Sequence, residues 1–393
     1  MTNVAVHEFG HVLGLDHTTW DTDAVMRPWY HNELRALSRW PRMDDRRGLI
    51  SIYGPNLKWP VRVGYMSASL NAIDYRTDPT ILTTSRPAIT YGGGRYAIAF
   101  VEPGPDGAVK LIESATGGES WSTPILVDIN VTTSPAIIAL ADGSIVVFYS
   151  KQISDQLNPG YPRDTVLFKE FCKNGQANDS GGVFDPYFVW GHGPAAALYH
   201  HIDDGIAVAS VASQFDGPTN QRVELVTMRN FCKPGAPLYD SMSRMPLQAT
   251  RAYATPGITC GSSECAIVYE ADDFYGFFTE TIAPNTTYGP QIPPSVVANV
   301  NYGKWSNLGY AIDGGTGAKW VVTLPWTKAA NQDQPVEVNF QTPGSTVLNT
   351  PPLAFPLEGI QESGAAVAYR SVAKFVNGRI TIINEYALAY TSQ

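Results

Sequence analysis

Four side chains near the start of the chain have the types and spacing for metal-assisted hydrolysis. In His7-Glu8-Phe9-Gly10-His11-Val12-Leu13-Gly14-Leu15-Asp16-His17, two histidines stand four residues apart and a third follows after a glycine. On a helix, residues four apart share a face, so His7 and His11 can reach one ion. Gly14 permits a sharp backbone turn that swings His17 back as a third ligand. Three neutral imidazoles with a fourth position open make a catalytic zinc site. Glu8 adjoins the first ligand and can act as general base towards a water that the ion acidifies. The extended motif fixes five positions, and four of the seven histidines fall within the first 31 residues. That concentration separates it from a lone His-Glu-x-x-His on a surface helix.

The elements that would position these groups are mostly helical. The spacing predicts a helix from Val4 to Leu13, ended by Gly14 at a C-cap. After a loop holding Met26 and Pro28, Asn32 to Arg39 is expected to start a second helix. Met43 to Gly54 has helical spacing, with acids in the first turn and a glycine at its end.

The segment resembles the active site of the metzincins, and among them the matrixins, whose signature joins this motif to a following Met-turn. Met26, in Val25-Met26-Arg27-Pro28-Trp29-Tyr30, stands at the Met-turn position, and Pro28 and Tyr30 match the family's Pro-x-Tyr. The resemblance implies that Met26 floors the zinc ligands and that Pro28, Trp29 and Tyr30 wall the pocket for the substrate side chain. It implies a catalytic zinc ion, with calcium in the full-length protein, and a secreted, extracellular enzyme acting on a protein or peptide substrate. It covers residues 1–54, where a matrixin domain also has a longer N-terminal part with a twisted sheet. The expectation is a zinc metalloendopeptidase whose present chain lacks that part, as a fragment, a misassigned start codon or a degenerate gene would, which leaves its independent activity open. The sequence opens on Met1-Thr2-Asn3 with no secretory signal ahead of the motif.

Residues 55–65 read as a linker. From residue 66 to 393 the texture changes to short alternating strands and turns. A unit recurs, opening at Ser85-Arg86-Pro87-Ala88, Ser134-Pro135-Ala136, Gly193-Pro194-Ala195 and Thr255-Pro256-Gly257, with weaker members at Asn307-Leu308-Gly309 and Ser363-Gly364-Ala365. Openings about 50 to 60 residues apart fit four-stranded propeller blades. The expected fold is mainly β: a six-bladed sialidase-like β-propeller preceded by a short helical remnant of a metzincin catalytic domain. A pair of β-sandwiches is the structural rival. The sialidase likeness rests on Ser114-Ala115-Thr116-Gly117-Gly118-Glu119-Ser120-Trp121, which resembles the Asp-box but carries Thr116 where Asp is expected.

Composition narrows the partners. The 393 residues carry a net charge of −9, which as a whole leaves no footprint for nucleic acid or an anionic membrane surface. Apolar residues at 44% supply a core, and no apolar run is long enough for a membrane span. Cys260 and Cys265 bracket Gly-Ser-Ser-Glu between strand-like runs, where a hairpin-tip disulfide fits. Cys172 and Cys232 stand in matching phrases, Phe-Cys-Lys-Asn-Gly and Phe-Cys-Lys-Pro-Gly, and are either bridged or two free thiols at equivalent places in a repeat.

Three functional readings follow. The first is a zinc metalloendopeptidase whose propeller binds a glycan or protein ligand. The second is a non-catalytic propeller module with a remnant protease segment. The third is a glycosidase-type propeller enzyme, for which Arg86, Arg251 and Arg370 are the available arginines. Nothing in the sequence picks a carboxylate pair for that chemistry. Trp190, Trp305 and Trp326 are aromatic residues that could stack on sugars.

Overall fold

Beyond residue 59 the described residues are mostly short strands, and several of them bury both faces. The computed structural model describes residues 2–17, 26, 59–67, 73–104, 107–131, 133–153, 163–173, 175, 178–182, 188–189, 193–199, 205–213, 221–228, 230–233, 245–246, 255–260, 265–270, 277–282, 295–298, 309–312, 320–325, 336–341, 353–355, 366–376 and 378–391. The helices expected over Asn32 to Arg39 and Met43 to Gly54 lie outside these residues, as do Pro28, Trp29, Tyr30, Arg251 and the three tryptophans named above.

Helix α1 (Thr2–Val12) comes first. Strands β1 (Trp59–Ser67), β2 (Ile73–Tyr75) and β3 (Leu82–Thr83) follow. The second sheet is β4 (Ala88–Gly92), β5 (Arg95–Glu102), β6 (Ala108–Ser114) and β7 (Ile125–Asp128). The third is β8 (Ala136–Ala139), β9 (Ile145–Ile153), β10 (Arg163–Phe171) and β11 (Ser180–Gly182). The fourth holds β12 (Phe188–Val189), β13 (Ala195–Tyr199), β14 (Gly205–Ser213), β15 (Gln221–Met228) and β16 (Met245–Pro246). Next come β17 (Gly257–Cys260), β18 (Cys265–Glu270), β19 (Phe277–Ile282) and β20 (Ser295–Ala298). Then come β21 (Gly309–Ile312), β22 (Trp320–Pro325), β23 (Val336–Gln341) and β24 (Leu353–Phe355). Strands β25 (Ala366–Val376) and β26 (Arg379–Thr391) return to β1, in the order β2-β1-β26-β25 with β3 also on β1.

Among the described residues there are thus six antiparallel sheets of four or five strands, and the arrangement is propeller-like. Six strands, β4, β8, β13, β17, β21 and β25, touch one another in turn, and β25 touches β4 to close the ring. Each is preceded by one of the six openings read from the sequence. Of the residues read as a linker, 59–65 lie in strand β1: Val61 to Ser67 pair with Thr391 to Glu385, so β1 belongs to the sheet system and joins the two ends of the ring. The reason is register. Val63 and Tyr65 place their side chains on the face shared with Ile89, Ile98 and Phe100, which a free linker would leave in water.

Strand β5 shows how neighbouring sheets pack. Ala97, Ala99 and Val101 enter one core with Ile137, Val147 and Tyr149 of the third sheet. Tyr96, Ile98 and Phe100 enter the other with Val63, Tyr65 and Ala387 of the first. Small residues on one face and large ones on the other let both neighbours approach, and each large apolar side chain contributes about 1.5–3 kcal/mol of burial.

The structure answers the question the sequence left open. Cys172 and Cys232 are bridged, joining the end of β10 to the segment after β15 across 60 residues. Cys260 is disulfide-bonded too, and its backbone sits opposite that of Cys265 in the β17–β18 register.

Candidate metal centre

The helix that carries the histidines ends in a local hydrogen-bond pattern that the sequence dictates. Gly14 adopts a positive φ of 83°. Its N–H donates to the His11 carbonyl at 2.9 Å, and the Leu15 N–H donates to the Gly10 carbonyl at 3.0 Å. These are the paired bonds of a Schellman cap, which needs a residue without a Cβ at the turning position. The chain reverses there, and Asp16 and His17 follow within reach of the helix face bearing His7 and His11. The Asp16 carboxylate accepts the His17 N–H at 2.8 Å and fixes the last step of the turn.

The three imidazoles converge. Nε2 of His17 lies 3.1 Å from Nε2 of His11 and 3.2 Å from Nε2 of His7. One ligand atom from each lies within 4.8 Å of the others. His11 Nδ1 donates to the Leu15 carbonyl at 2.9 Å, which in the neutral ring leaves Nε2 as a bare lone pair facing its neighbours. Zinc–nitrogen bonds of about 2.0–2.1 Å in a tetrahedron put ligand nitrogens roughly 3.4 Å apart. Donor type, number and spacing therefore fit a divalent ion of that kind. His7 and His11 are half-buried and His17 is exposed, so the centre opens to solvent. Glu8 is also exposed.

Met26 is buried at 2% exposure and packs against the helix at Gly10, where any Cβ would overlap its sulfur. Gly10 was not singled out from sequence beyond its place in the motif, yet it is the point of closest approach. The other side of the helix carries Phe9 and Val12, which are 60% and 77% exposed.

A second polar cluster lies in the sheets, and sequence reasoning missed it. Glu385 on β26 is 6% exposed and receives two cations. Arg76 holds both of its carboxylate oxygens, and Arg370 reaches Oε1 at 3.1 Å. The Tyr96 hydroxyl donates to the same Oε1 at 2.8 Å. Arg76 also lies over the Tyr65 ring, 4.1 Å from its centre, and donates to the Gly117 carbonyl. Burial, with the adjoining Glu385 charge, raises the Tyr96 hydroxyl far above its usual range. Burial would lower Arg76, but its bonds to Glu385 outweigh that and raise it. Arg370 and Glu385 face each other in the β25–β26 register, a pairing that the sequence alone does not display.

Of the arginines considered for a sugar site, Arg370 is thus engaged by Glu385, and Arg86 is enclosed, its guanidinium lowered to about 10 by burial. The Asp-box-like turn between β6 and β7 is formed. Its Thr116 hydroxyl accepts the Ser120 N–H at 2.8 Å, and the Ser114 hydroxyl accepts the Gly118 N–H at 2.8 Å. Trp121 donates its indole N–H to the Thr77 carbonyl at 3.0 Å.

The segment that brings the three histidines together is also the part of the chain with known relatives. Residues 1–54 match the Matrixin family model. Stromelysin-3 of Mus musculus is 38% identical over 98 residues, 23% of this chain and 19% of that protein. Stromelysin-3 of Rattus norvegicus is 52% identical over 54 residues, 14% of this chain and 10% of its own length. Matrix metalloproteinase-2 of Drosophila melanogaster is 48% identical over 56 residues, 14% of this chain and 7% of its own. The chain therefore spans less than a fifth of the length of these relatives. Among solved structures, an α-L-arabinanase of Penicillium chrysogenum has a TM-score of 0.48 at 14% identity, covering 85% of this chain and 98% of that one. Trypanosoma rangeli sialidase has a TM-score of 0.47 at 10% identity, covering 86% and 58%. Likenesses at this level bear on neither substrate nor activity. No helix among the described residues is long and apolar enough to cross a membrane.

Proposed function

We propose that residues 1–54 are the zinc-binding part of a metalloendopeptidase and that the six sheets form a six-bladed propeller serving as its binding module. The observation that carries this reading is the approach of His7, His11 and His17 to 3.1–3.2 Å between Nε2 atoms. Those three residues would hold the ion, with Met26 as the floor beneath them and Pro28, Trp29 and Tyr30 as the substrate pocket. Zinc, when bound, supplies a Lewis acid that polarises a peptide carbonyl and acidifies water. Glu8 takes a proton from the attacking water and returns it to the leaving amine nitrogen. His11 keeps its lone pair aimed inward through its bond to Leu15. Disulfide bonding of Cys172, Cys232 and Cys260 supports a secreted, extracellular setting, where such bonds persist.

The second reading, a propeller module with an inactive protease remnant, is favoured by the exposure of Phe9 and Val12. Those side chains are the apolar side of the motif helix, and a working domain would cover them.

One experiment separates the two. The chain is loaded with zinc, and cleavage of a casein or gelatin substrate is followed with and without a chelator, alongside the Glu8→Gln variant. The peptidase reading expects chelator-sensitive cleavage that Glu8→Gln abolishes while bound zinc, measured by elemental analysis, is unchanged. Bound zinc without cleavage by either form supports the remnant. Absence of zinc from the purified chain overturns both assignments of the histidines.

A further inference from the structure

The hairpin of β25 and β26 runs past the body of the sheets. Arg370 and Glu385, which face each other across it, are buried. Beyond that pair, Ser371, Ala373, Phe375 and Gly378 to Ile382 are all exposed. Six residues of extended strand separate Arg370 from Val376, so the tip stands roughly 20 Å beyond the buried pair. It ends in a turn at Gly378, which takes a φ of 77°.

The projecting arm carries large apolar side chains on one face. Phe375 pairs with Ile380 and Ala373 with Ile382, so these four share a face. Phe375 is 76% exposed, Ile380 75% and Ile382 66%, the most exposed large apolar residues of the described sheets. Isolated exposed apolar residues are ordinary, but three together on a preformed arm mark a contact surface.

Charge selects the partner. The chain as a whole is at −9, yet residues 371–384 contain Lys374 and Arg379 and no Asp or Glu. At the base of the arm, the exposed acids Asp74 and Glu119 are engaged by Arg76. An apolar face joined to an acid-free cationic segment complements a surface that is anionic outside and apolar beneath.

We propose that the β25–β26 hairpin docks the protein on an anionic lipid bilayer. Phe375, Ile380 and Ile382 enter the interface from one face, and Arg379, which pairs with Val376 on the reverse face, reaches the headgroups around the edge of the arm. A rigid hairpin suits this role because little is ordered on contact.

The test is co-sedimentation of the full chain with phosphatidylcholine vesicles containing about a quarter phosphatidylserine, beside phosphatidylcholine alone. Binding is expected to the anionic vesicles and to weaken with salt. Phe375→Ser with Ile380→Ser is expected to weaken it about tenfold or more, and Lys374→Gln with Arg379→Gln roughly tenfold at low salt. The replaced residues are exposed or lie on the arm, and an unchanged thermal unfolding curve verifies the fold. In a second measurement, Phe375→Trp is expected to show blue-shifted emission and quenching by brominated acyl chains. Failure to sediment with anionic vesicles overturns the proposal, as does binding indifferent to both pairs of substitutions. Concentration-dependent dimerisation that the Phe375→Ser and Ile380→Ser pair abolishes, without vesicle binding, overturns it in favour of a second copy on this face.

Discussion

Gly10 and Met26 are in contact so close that a single added carbon on the glycine would overlap the methionine sulfur. The contact ties the middle of the motif helix to a residue sixteen positions later, and it sets how near the helix lies to the turn carrying Met26. The glycine is needed for space, and only secondarily for backbone freedom, since it sits inside α1.

Gly10→Ala is expected to lower zinc affinity and the stability of the N-terminal segment together. Overpacking of this kind costs about 1–3 kcal/mol, which outweighs the roughly 1 kcal/mol gained in helix propensity. Zinc titration followed by a competing chromophoric chelator measures the first effect, and amide exchange of α1 the second. Unchanged zinc affinity would show that Met26 gives way freely.

Glu385→Ala is expected to destabilise the ring by about 3–5 kcal/mol, because it strands two cations where they were paired in a buried setting. Arg76 would lose its bidentate partner and Arg370 its nearest carboxylate. Equilibrium urea unfolding monitors the change. Arg370 and Glu385 face each other on β25 and β26, so the loss falls where the last strands meet β1 and β4.

The Cys172–Cys232 bridge closes a loop of 60 residues between two neighbouring sheets. Chain-entropy arithmetic for a loop of that length gives about 4 kcal/mol, an amount engineered and native bridges often fall short of. Replacing both cysteines by serine is expected to lower the unfolding midpoint, and reductant should then have a smaller further effect on the variant than on the parent chain. Equal sensitivity to reductant in both would place the stabilisation in the disulfide made by Cys260 instead.

Glu170 gives a signed pH dependence. Burial raises its carboxyl above the usual carboxylate range, only partly opposed by the bond it accepts from the Cys232 N–H at 2.6 Å. The folded value lies above the unfolded one, so its contribution to stability is fully present below the unfolded pKa and is lost as pH rises through the folded pKa. Glu170→Gln keeps an acceptor for the Cys232 N–H and has no charge to bury. It is expected to flatten the fall in stability between weakly acidic and neutral pH, measured by denaturant unfolding at a series of pH values. A slope unchanged from the parent would assign the dependence to another group.

Much of this molecule was legible in local chemistry. The approach of His7, His11 and His17 could be read because helix periodicity and one glycine suffice to bring them together, and the observed cap at Gly14 uses no contact from outside the segment. The six sheet openings could be read because a strand alternating every two residues, punctuated by Gly and Pro, announces itself locally. The tertiary structure decided what depends on distant partners. Strand β1 looked like a linker, since its place beside β26 is set by pairing across more than three hundred residues that no local pattern encodes. The Cys172–Cys232 question was open for the same reason, and so was the value of Glu385, an ordinary acid in sequence until Arg76, Arg370 and Tyr96 arrive from three other parts of the fold. Sequence fixes interactions within a turn or a strand, where the chain's own geometry limits the distance. Contacts between sheets depend on how the ring closes, and closure is a property of the whole.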